Sequence, residues 1–354
     1  MSTPRQALGR PWRVLIAGAG AIGCTLAARL AAAGHTVDLL ARGRTLQTLR
    51  EQGLVLDDLD GQWHAPVRAI GQVDELGDER KNKLGNEPAP DLVLLCSKSQ
   101  DLPALAEQVQ PCIGPDTLIV PLVNGVPFWF FHGARGRFDG QTVQAVDPQG
   151  QLARALPLGQ VLGAVVFVTA ESTGAGRVRS RTPHLLMLGE PAGGLSPRLQ
   201  ALCEMFAQAG IEARPQERLR DPLWTKLIAN LTSNPLSVVT RATLQAIYSD
   251  PVLLETVRAV MHETMLVASA YGARLSIDPI EFLQLGAGMG AVRTSMLQDF
   301  ERDRPLELAA IGDAVVELAE RYALPMPATR TLLSRPRWHA ARRAERRLAE
   351  PEAA

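Results

Sequence analysis

The sequence predicts an α/β N-terminal half that gives way to an all-α C-terminal half. Three observations carry this expectation. A glycine-rich turn joins a short apolar run to a helical pattern near the N-terminus. Apolar strand-like runs then alternate with helical stretches. From Pro222 onward the chain reads as helix.

Taken in order, Val14-Leu15-Ile16-Ala17 is a short strand ending at Gly18, and the Ala/Leu-rich helical pattern Ile22 to Ala33 is closed by Gly34. Val37 to Leu40 is a second strand, which completes a βαβ opening. Thr45 to Glu51 reads as a short helix stopped by Gly53. Asp60-Gly61 is a hairpin turn between Val55–Leu59 and Trp63–Ala69. Val73 to Pro90 is polar and reads as a surface insertion. Leu92 to Cys96 is a buried parallel strand, Asp101 is placed to cap a helix reaching Val109, and Leu118 to Val120 is the next strand. Val161–Ala170, Gly176–Arg181 and Leu185–Gly189 read as neighbouring antiparallel strands, followed by a helix over Ser196–Ala209 and an edge strand at Ile211–Ala213. Helices are expected at about Leu223–Thr232, Pro251–Tyr271, Asp278–Leu285, Thr294–Phe300 and Pro305–Tyr322. No internal repeat is present.

Length and composition exclude several classes. At 354 residues the chain suits two domains of about 150 residues each. Hydrophobic residues at 46 % and charged residues at 21 % are ordinary globular values. Lys+Arg and Asp+Glu are 37 each, so the basic excess of a nucleic-acid-coating protein is absent and no nucleic-acid partner is expected. The four cysteines, Cys24, Cys96, Cys112 and Cys203, lie far apart in sequence and read as reduced thiols. The six histidines show no ligand spacing, so no metal is expected. Met1 to Arg13 carries no apolar signal core. The longest apolar stretch, Leu118 to Phe131, is interrupted by Pro121, Asn124, Gly125 and Pro127 and falls short of the roughly 20 residues of a membrane helix. A soluble, cytoplasmic protein with no membrane partner is therefore expected.

Gly18-Ala19-Gly20-Ala21-Ile22-Gly23 is G-x-G-x-x-G between a strand and a helix, the context in which the pattern binds a dinucleotide pyrophosphate. The first glycine makes the turn, the second admits the phosphate to the backbone N–H groups, and the third lets helix and strand pack closely. The second strand ends in Ala41-Arg42-Gly43-Arg44, without the acidic residue that holds an NAD ribose. Arg42, with Arg44 nearby, suits a 2′-phosphate, so the cofactor expected is NADP(H). The fold class is thus α/β, a Rossmann-type dinucleotide-binding domain over residues 1–216 with an all-α domain over 217–334. An arginine-rich tail occupies 335–354 and reads as a solvated terminal helix. Lys98 and Asn124 follow two of the strands and stand where such sheets bind ligand; an ordinary loop role is the alternative.

In the helical half, Lys226, Asn230 and Asn234 fall at i, i+4 and i+8. They drift only about 80° around a helix and share one face. Two asparagines within a helix cost stability, and Pro235 is expected to end or kink it. A polar stripe that breaks local rules beside a kink points to a site. Thr294 to Asp299 and Pro305-Leu306-Glu307 form a second polar cluster. Glu307 reads either as a functional carboxylate or as compensation of a helix dipole in a first turn, and Ser295 as a site residue or an ordinary helical serine.

Together these pieces resemble the ketopantoate reductase (2-dehydropantoate 2-reductase) family over about Arg13 to Thr329. The landmarks are the Gly18–Gly23 loop, Cys96-Ser97-Lys98-Ser99, Val123-Asn124-Gly125, Trp224-x-Lys226-x-x-x-Asn230-x-x-x-Asn234-Pro235, Thr294-Ser295-Met296-Leu297-Gln298-Asp299 and Pro305-Leu306-Glu307. The Lys/Asn/Asn-Pro stripe and the Ser-Met-Leu-Gln-Asp segment are the specific ones. The resemblance implies NADPH-dependent reduction of 2-dehydropantoate to (R)-pantoate, a step of pantothenate synthesis. In it Lys226 matches the lysine that protonates the carbonyl oxygen as hydride reaches C2. It implies that Asn230 and Asn234 position the substrate and that Ser295 holds its carboxylate. Glu307 would orient the lysine or a substrate hydroxyl, and Asn124 and Lys98 would line the cofactor and substrate cleft. Cofactor contacts are accordingly expected from Gly18, Ala19, Gly20, Ala21, Ile22, Gly23, Arg42, Lys98, Asn124 and Glu307.

The chain departs from the family pattern in places. Leu306-Glu307-Leu308-Ala309 replaces Thr-Glu-Ile-Asp, and Leu244 and Val292 stand where well-described members carry further asparagines. Two other readings stay open: an NADPH-linked reductase of another branched 2-oxo acid, and a non-catalytic NADP(H)-binding redox sensor. The small-molecule partner is a 2-oxo acid in the first two readings. The oligomeric state is open, a homodimer included.

Overall fold

The computed structural model describes residues 10–78, 89–276 and 278–349. The chain forms two compact units. The first holds residues up to 123 together with 128–142 and 149–219. The second holds 124–127, 143–148 and the chain from 220 on.

The first unit runs β1 (Arg13–Ala17), α1 (Ala21–Ala32), β2 (Thr36–Leu40), α2 (Gly43–Gln52), β3 (Leu54–Asp58), β4 (Gly61–Ala65), β5 (Arg68–Ile70) and α3 (Glu75–Asp78). It continues with β6 (Leu92–Leu95), α4 (Leu102–Val109), β7 (Leu118–Pro121), α5 (Gln151–Ala155), β8 (Gly163–Phe167), β9 (Ala170–Gly174), β10 (Arg177–Ser180), β11 (Leu185–Gly189), α6 (Pro197–Gln208) and β12 (Glu212–Pro215). A five-stranded parallel sheet has the order β5-β2-β1-β6-β7. Its central strands are continuous apolar runs, Val14 to Ala17 and Leu92 to Leu95, buried along their whole length as a parallel sheet covered on both faces requires. This is the expected α/β fold class.

α1 packs on the parallel sheet and also on the mixed sheet β4-β3-β10-β9. Its small, apolar residues from Gly23 to Ala31 are accordingly buried all round. Arg29 is buried with them, and its charge is met inside the unit. Its Nε donates to Asp58 Oδ2 at 2.8 Å, a second nitrogen reaches Asp60, and the guanidinium lies 4.7 Å from the centre of the Trp63 ring. Trp63 in turn donates its indole N–H to Asp58 Oδ1 at 3.1 Å. This network fastens the β3–β4 hairpin to α1.

Several local expectations are corrected. The strands after residue 160 do not form one sheet. β9 and β10 join β3 and β4, β10 running parallel to β3, while β8 and β11 form a separate sheet with β12. The local glycine turns fit either pairing, and only the position of β3 selects this one. The run Trp63–Ala69 splits at Pro66: β4 ends at Ala65, and β5 crosses to the parallel sheet from Arg68. The core of the Val73–Pro90 insertion, residues 79–88, lies outside the described residues, as do 350–354 of the tail.

The second unit is helical: α7 (Arg220–Thr240), α8 (Leu244–Ser249), α9 (Pro251–Ala270), α10 (Pro279–Gly288), α11 (Ser295–Glu301), a π turn over Ala309–Asp313, α12 (Ala314–Glu320) and α13 (Pro327–Ala349). Pro235 does not end α7, which runs on to Thr240. Its neighbours Leu231, Asn234, Leu236 and Val238 are buried, so tertiary packing outweighs the roughly 3 kcal/mol that an interior proline costs. The arginine run beyond residue 334 begins inside α13, where Arg337 pairs with Asp313 and Leu332 and Leu333 are buried. The same unit captures two stretches that leave the first. The carboxylate of Glu317 accepts the N–H groups of Gln144 (3.0 Å) and Ala145 (2.8 Å), and the carbonyl of Ala310 accepts that of Val126 (2.8 Å).

Replacing Asp58 by alanine strands a buried guanidinium with only the exposed Asp60 beside it. We expect a loss of about 3 kcal/mol from the first unit, read as a lower denaturant midpoint of the Trp63 fluorescence transition. An unchanged midpoint would show the network to be dispensable.

Candidate active site

The glycine turn is shaped by packing at its ends and open in its middle. Gly18 has φ +116°, and a Cβ there would sit 2.5 Å from the Cys96 carbonyl oxygen. A Cβ at Gly23 would sit 2.0 Å from the oxygen of Gly18. At Gly20, which caps α1, a Cβ would meet nothing within 4 Å. Only there is there room for a ligand against the backbone. The first turn of α1 bears no acidic residue, so its N–H groups and positive dipole end face an anion without competition. These features fit a dinucleotide pyrophosphate laid over Ala19, Gly20, Ala21 and Ile22.

The adenosine end is argued from β2. Asp38, the only carboxylate in that strand, accepts a 2.5 Å hydrogen bond from Arg68 Nε, a partner on the adjacent strand β5. Arg42 is exposed, extended, and caps α2, whose first turn also lacks acid. With Arg44 exposed one residue into the helix, this end of β2 fits a phosphate dianion. Lys98 follows β6, half-buried, at the start of a short 3₁₀ turn. Burial pushes the Cys24 thiol up to about 12 and raises that of Cys96 as well, so the thiols beside the turn are held protonated and inert.

In the second unit, α7 carries Lys226, Asn230 and Asn234 on one unbroken helix. Asn234 is buried, and the other two are half-buried. The N-terminal end of α7 is clamped: the Trp224 ring stacks on Tyr271, Tyr271 meets Tyr322 edge-on, and the Tyr271 hydroxyl donates to the Leu318 carbonyl at 3.0 Å. Burial lowers the Lys226 ammonium from 10.5 to about 8, and the negative charge of Glu307 opposes that shift. Lysine and carboxylate are therefore close enough to feel each other.

Glu307 is itself buried. It does not lie within a first helical turn, as the sequence suggests, but just ahead of the helix that starts at Leu308, where its carbonyl accepts the Ile311 N–H at 3.2 Å. The turn that follows is the wide π turn. Ala310 within it offers its carbonyl to Val126, and a Cβ on Gly125 (φ +90°) would lie 2.5 Å from the Ala310 carbonyl carbon and oxygen. The Asn124-Gly125-Val126 segment is thus seated three residues from Glu307. Sequence reasoning missed this junction; the pairing of Asn124 with Gly125 was its only local signal. Ser295 is exposed at the first residue of α11, whose cap is Thr294.

Among the described residues, no group of three His, Cys, Asp or Glu side chains could hold a metal ion, and no helix is long and apolar enough to cross a membrane. A glycine turn opening a helix on a parallel sheet, and a helical unit carrying a half-buried lysine, a buried carboxylate and amide side chains, fit a dinucleotide-linked oxidoreductase. The sequence matches the family model described as ketopantoate reductase PanE/ApbA over residues 14–193, and the C-terminal model of that family over 218–336. It is 36 % identical to a 2-dehydropantoate 2-reductase of Mesorhizobium japonicum, over 91 % of this chain and 96 % of that one. The structure resembles that of a putative ketopantoate reductase from Ralstonia solanacearum (TM-score 0.86, 38 % identity, 95 % of this chain and 99 % of that one). It also resembles a 2-dehydropantoate 2-reductase from Geobacter metallireducens (TM-score 0.77, 26 % identity, 90 % and 97 %). The chain belongs to the ketopantoate reductase PanE/ApbA family.

Gly125→Val removes both the positive φ and the close approach to Ala310. Reductase kcat/KM should fall about 10²-fold, the scale of a small misplacement of catalytic groups, with the far-ultraviolet circular dichroism unchanged. Activity within twofold of wild type would detach the junction from catalysis.

Proposed function

We propose that this protein reduces 2-dehydropantoate to (R)-pantoate with NADPH, in pantothenate synthesis, with Lys226 as the general acid. The observation that carries this reading is the lowered pKa of Lys226 beside Glu307, on the helix that also bears Asn230 and Asn234. When bound, NADPH supplies the hydride that adds to C2 of the 2-oxo acid. The negative charge that then develops on the carbonyl oxygen needs a donor. A lysine with a pKa of about 8 is mostly protonated at neutral pH and gives up its proton far more readily than an exposed one. Glu307 holds that ammonium in its charged form and orients it or a substrate hydroxyl. Asn230, Asn234 and Ser295 fix the 2-oxo acid through its polar groups, Ser295 at the carboxylate. Lys98 and Asn124 contact cofactor or substrate, Gly18 to Gly23 hold the pyrophosphate, and Arg42 holds the 2′-phosphate.

One observation favours a related substrate. The Leu244 N–H donates to the Val292 carbonyl at 2.8 Å, so these two apolar residues stand side by side. Apolar residues at these two positions suit a branched 2-oxo acid without a distal hydroxyl, and parallel assays on such acids decide between the two substrates. The reading also includes a cytoplasmic homodimer. α10 carries exposed Ile280 and Leu285, and exposed Met289 follows it, a surface that a second copy would cover. Sedimentation at several concentrations tests the assembly.

NADPH oxidation followed at 340 nm with 2-dehydropantoate should show saturable turnover, and Lys226→Ala should lower kcat by about 10²–10⁴-fold, the range of general acid catalysis. Near-normal kcat would remove Lys226 from the acid role. The reaction needs the protonated lysine, so kcat/KM for reduction should be flat below pH 8 and fall about tenfold per unit above it. A profile flat to pH 10 would contradict the assignment.

A further inference from the structure

The reductase reading gives roles to Lys226, Asn230, Asn234, Ser295 and Glu307, and leaves a buried pair of hydroxyls without one. Ser237 on α7 and Thr294 at the head of α11 are both buried, and their oxygens lie 2.6 Å apart. Each hydroxyl has a single proton to give. The Ser237 oxygen is 2.7 Å from the carbonyl of Asn234, which only accepts, so the Ser237 proton is committed there. Thr294 must then donate to Ser237, and its own oxygen accepts the Leu297 N–H at 3.1 Å. The result is a directed chain, from the Leu297 amide through Thr294 and Ser237 to the Asn234 carbonyl. It starts within the first turn of α11, beside Ser295, and ends on the backbone of Asn234.

We propose that Ser237 and Thr294 are positioning residues for the 2-oxo acid. They lock Ser295 at the start of α11 in register with Asn230 and Asn234 on α7. The proposal rests on the reductase reading of those three residues. Both helices need the lock. Pro235 follows Asn234 and leaves the Leu231 carbonyl without its helical N–H partner, so α7 is weakened in the turn that carries Asn234. α11 has only seven residues, too few to hold its own direction. A single oxygen, that of Thr294, both caps α11 and ties it to α7, so loss of the bond removes the polar tie at the residue next to Ser295.

The role separates from a merely structural one in the kinetics. Holding a carboxylate is an interaction common to bound substrate and transition state, so its loss raises KM and spares kcat. Ser237→Ala should raise KM for 2-dehydropantoate about tenfold with kcat within about twofold. The Kd for NADPH, read by fluorescence, should not move. Thr294→Val should do the same, and it serves if Ser237→Ala fails to fold. Thr294→Ser keeps the hydroxyl and should hold KM near the wild-type value. A wild type that turns over 2-dehydropantoate, with unshifted KM in both hydroxyl-deleted variants, overturns this proposal alone, whatever happens to Tm. An equal KM rise in Thr294→Ser also overturns it. A wild type with no turnover overturns the reductase reading and this proposal together.

Discussion

Keeping an ammonium ion charged within a crowd of protein atoms is the constraint around which the helical unit is built. Burial works against the proton on Lys226, and the nearby Glu307 carboxylate pulls the other way. Neither group can drift without upsetting that balance, so both must be held by backbone. Lys226 is held by α7, fixed at its start by the Trp224–Tyr271–Tyr322 cluster. Glu307 is held by the helix it precedes, whose π turn receives the Asn124–Val126 segment. π turns widen the helix and set carbonyls free, which is why they recur at functional positions.

The first unit meets a different demand, keeping the backbone N–H groups at the start of α1 open. A helix can do so only if its start is kept clear, and Gly20 has open space where a side chain would stand. The rest of α1 is buried between two sheets, with Arg29 neutralised by Asp58 and Asp60. Asp38, the carboxylate of β2, accepts from Arg68 instead of standing free for a ribose. Exposed Arg42 and Arg44 therefore set the charge at that end.

Much of this was legible in the sequence because it is local. The βαβ opening, the glycine turn, the change to all helix after residue 220 and the Lys226/Asn230/Asn234 stripe follow from spacing along a single element. The errors arose where spacing ends. Pro235 was expected to end or kink a helix that packing carries through to Thr240. Glu307 was expected inside a first turn and lies ahead of it. The strand read over Gly176–Arg181 was grouped with the strands on either side of it in sequence; as β10 it pairs also with β3, more than a hundred residues earlier.

The sequence by itself determined most of the elements, the glycine turn between β1 and α1, the arginines at the end of β2 and the membership of one polar stripe, since each depends on backbone geometry over a few residues. Tertiary structure alone decided which sheet each late strand joined, that Gly125 would rest on Ala310, that Ser237 would meet Thr294, and that Lys226 would lose much of its basicity. Those outcomes depend on contacts between residues distant in the chain and on how far water is kept from a charge, and neither is written in local spacing.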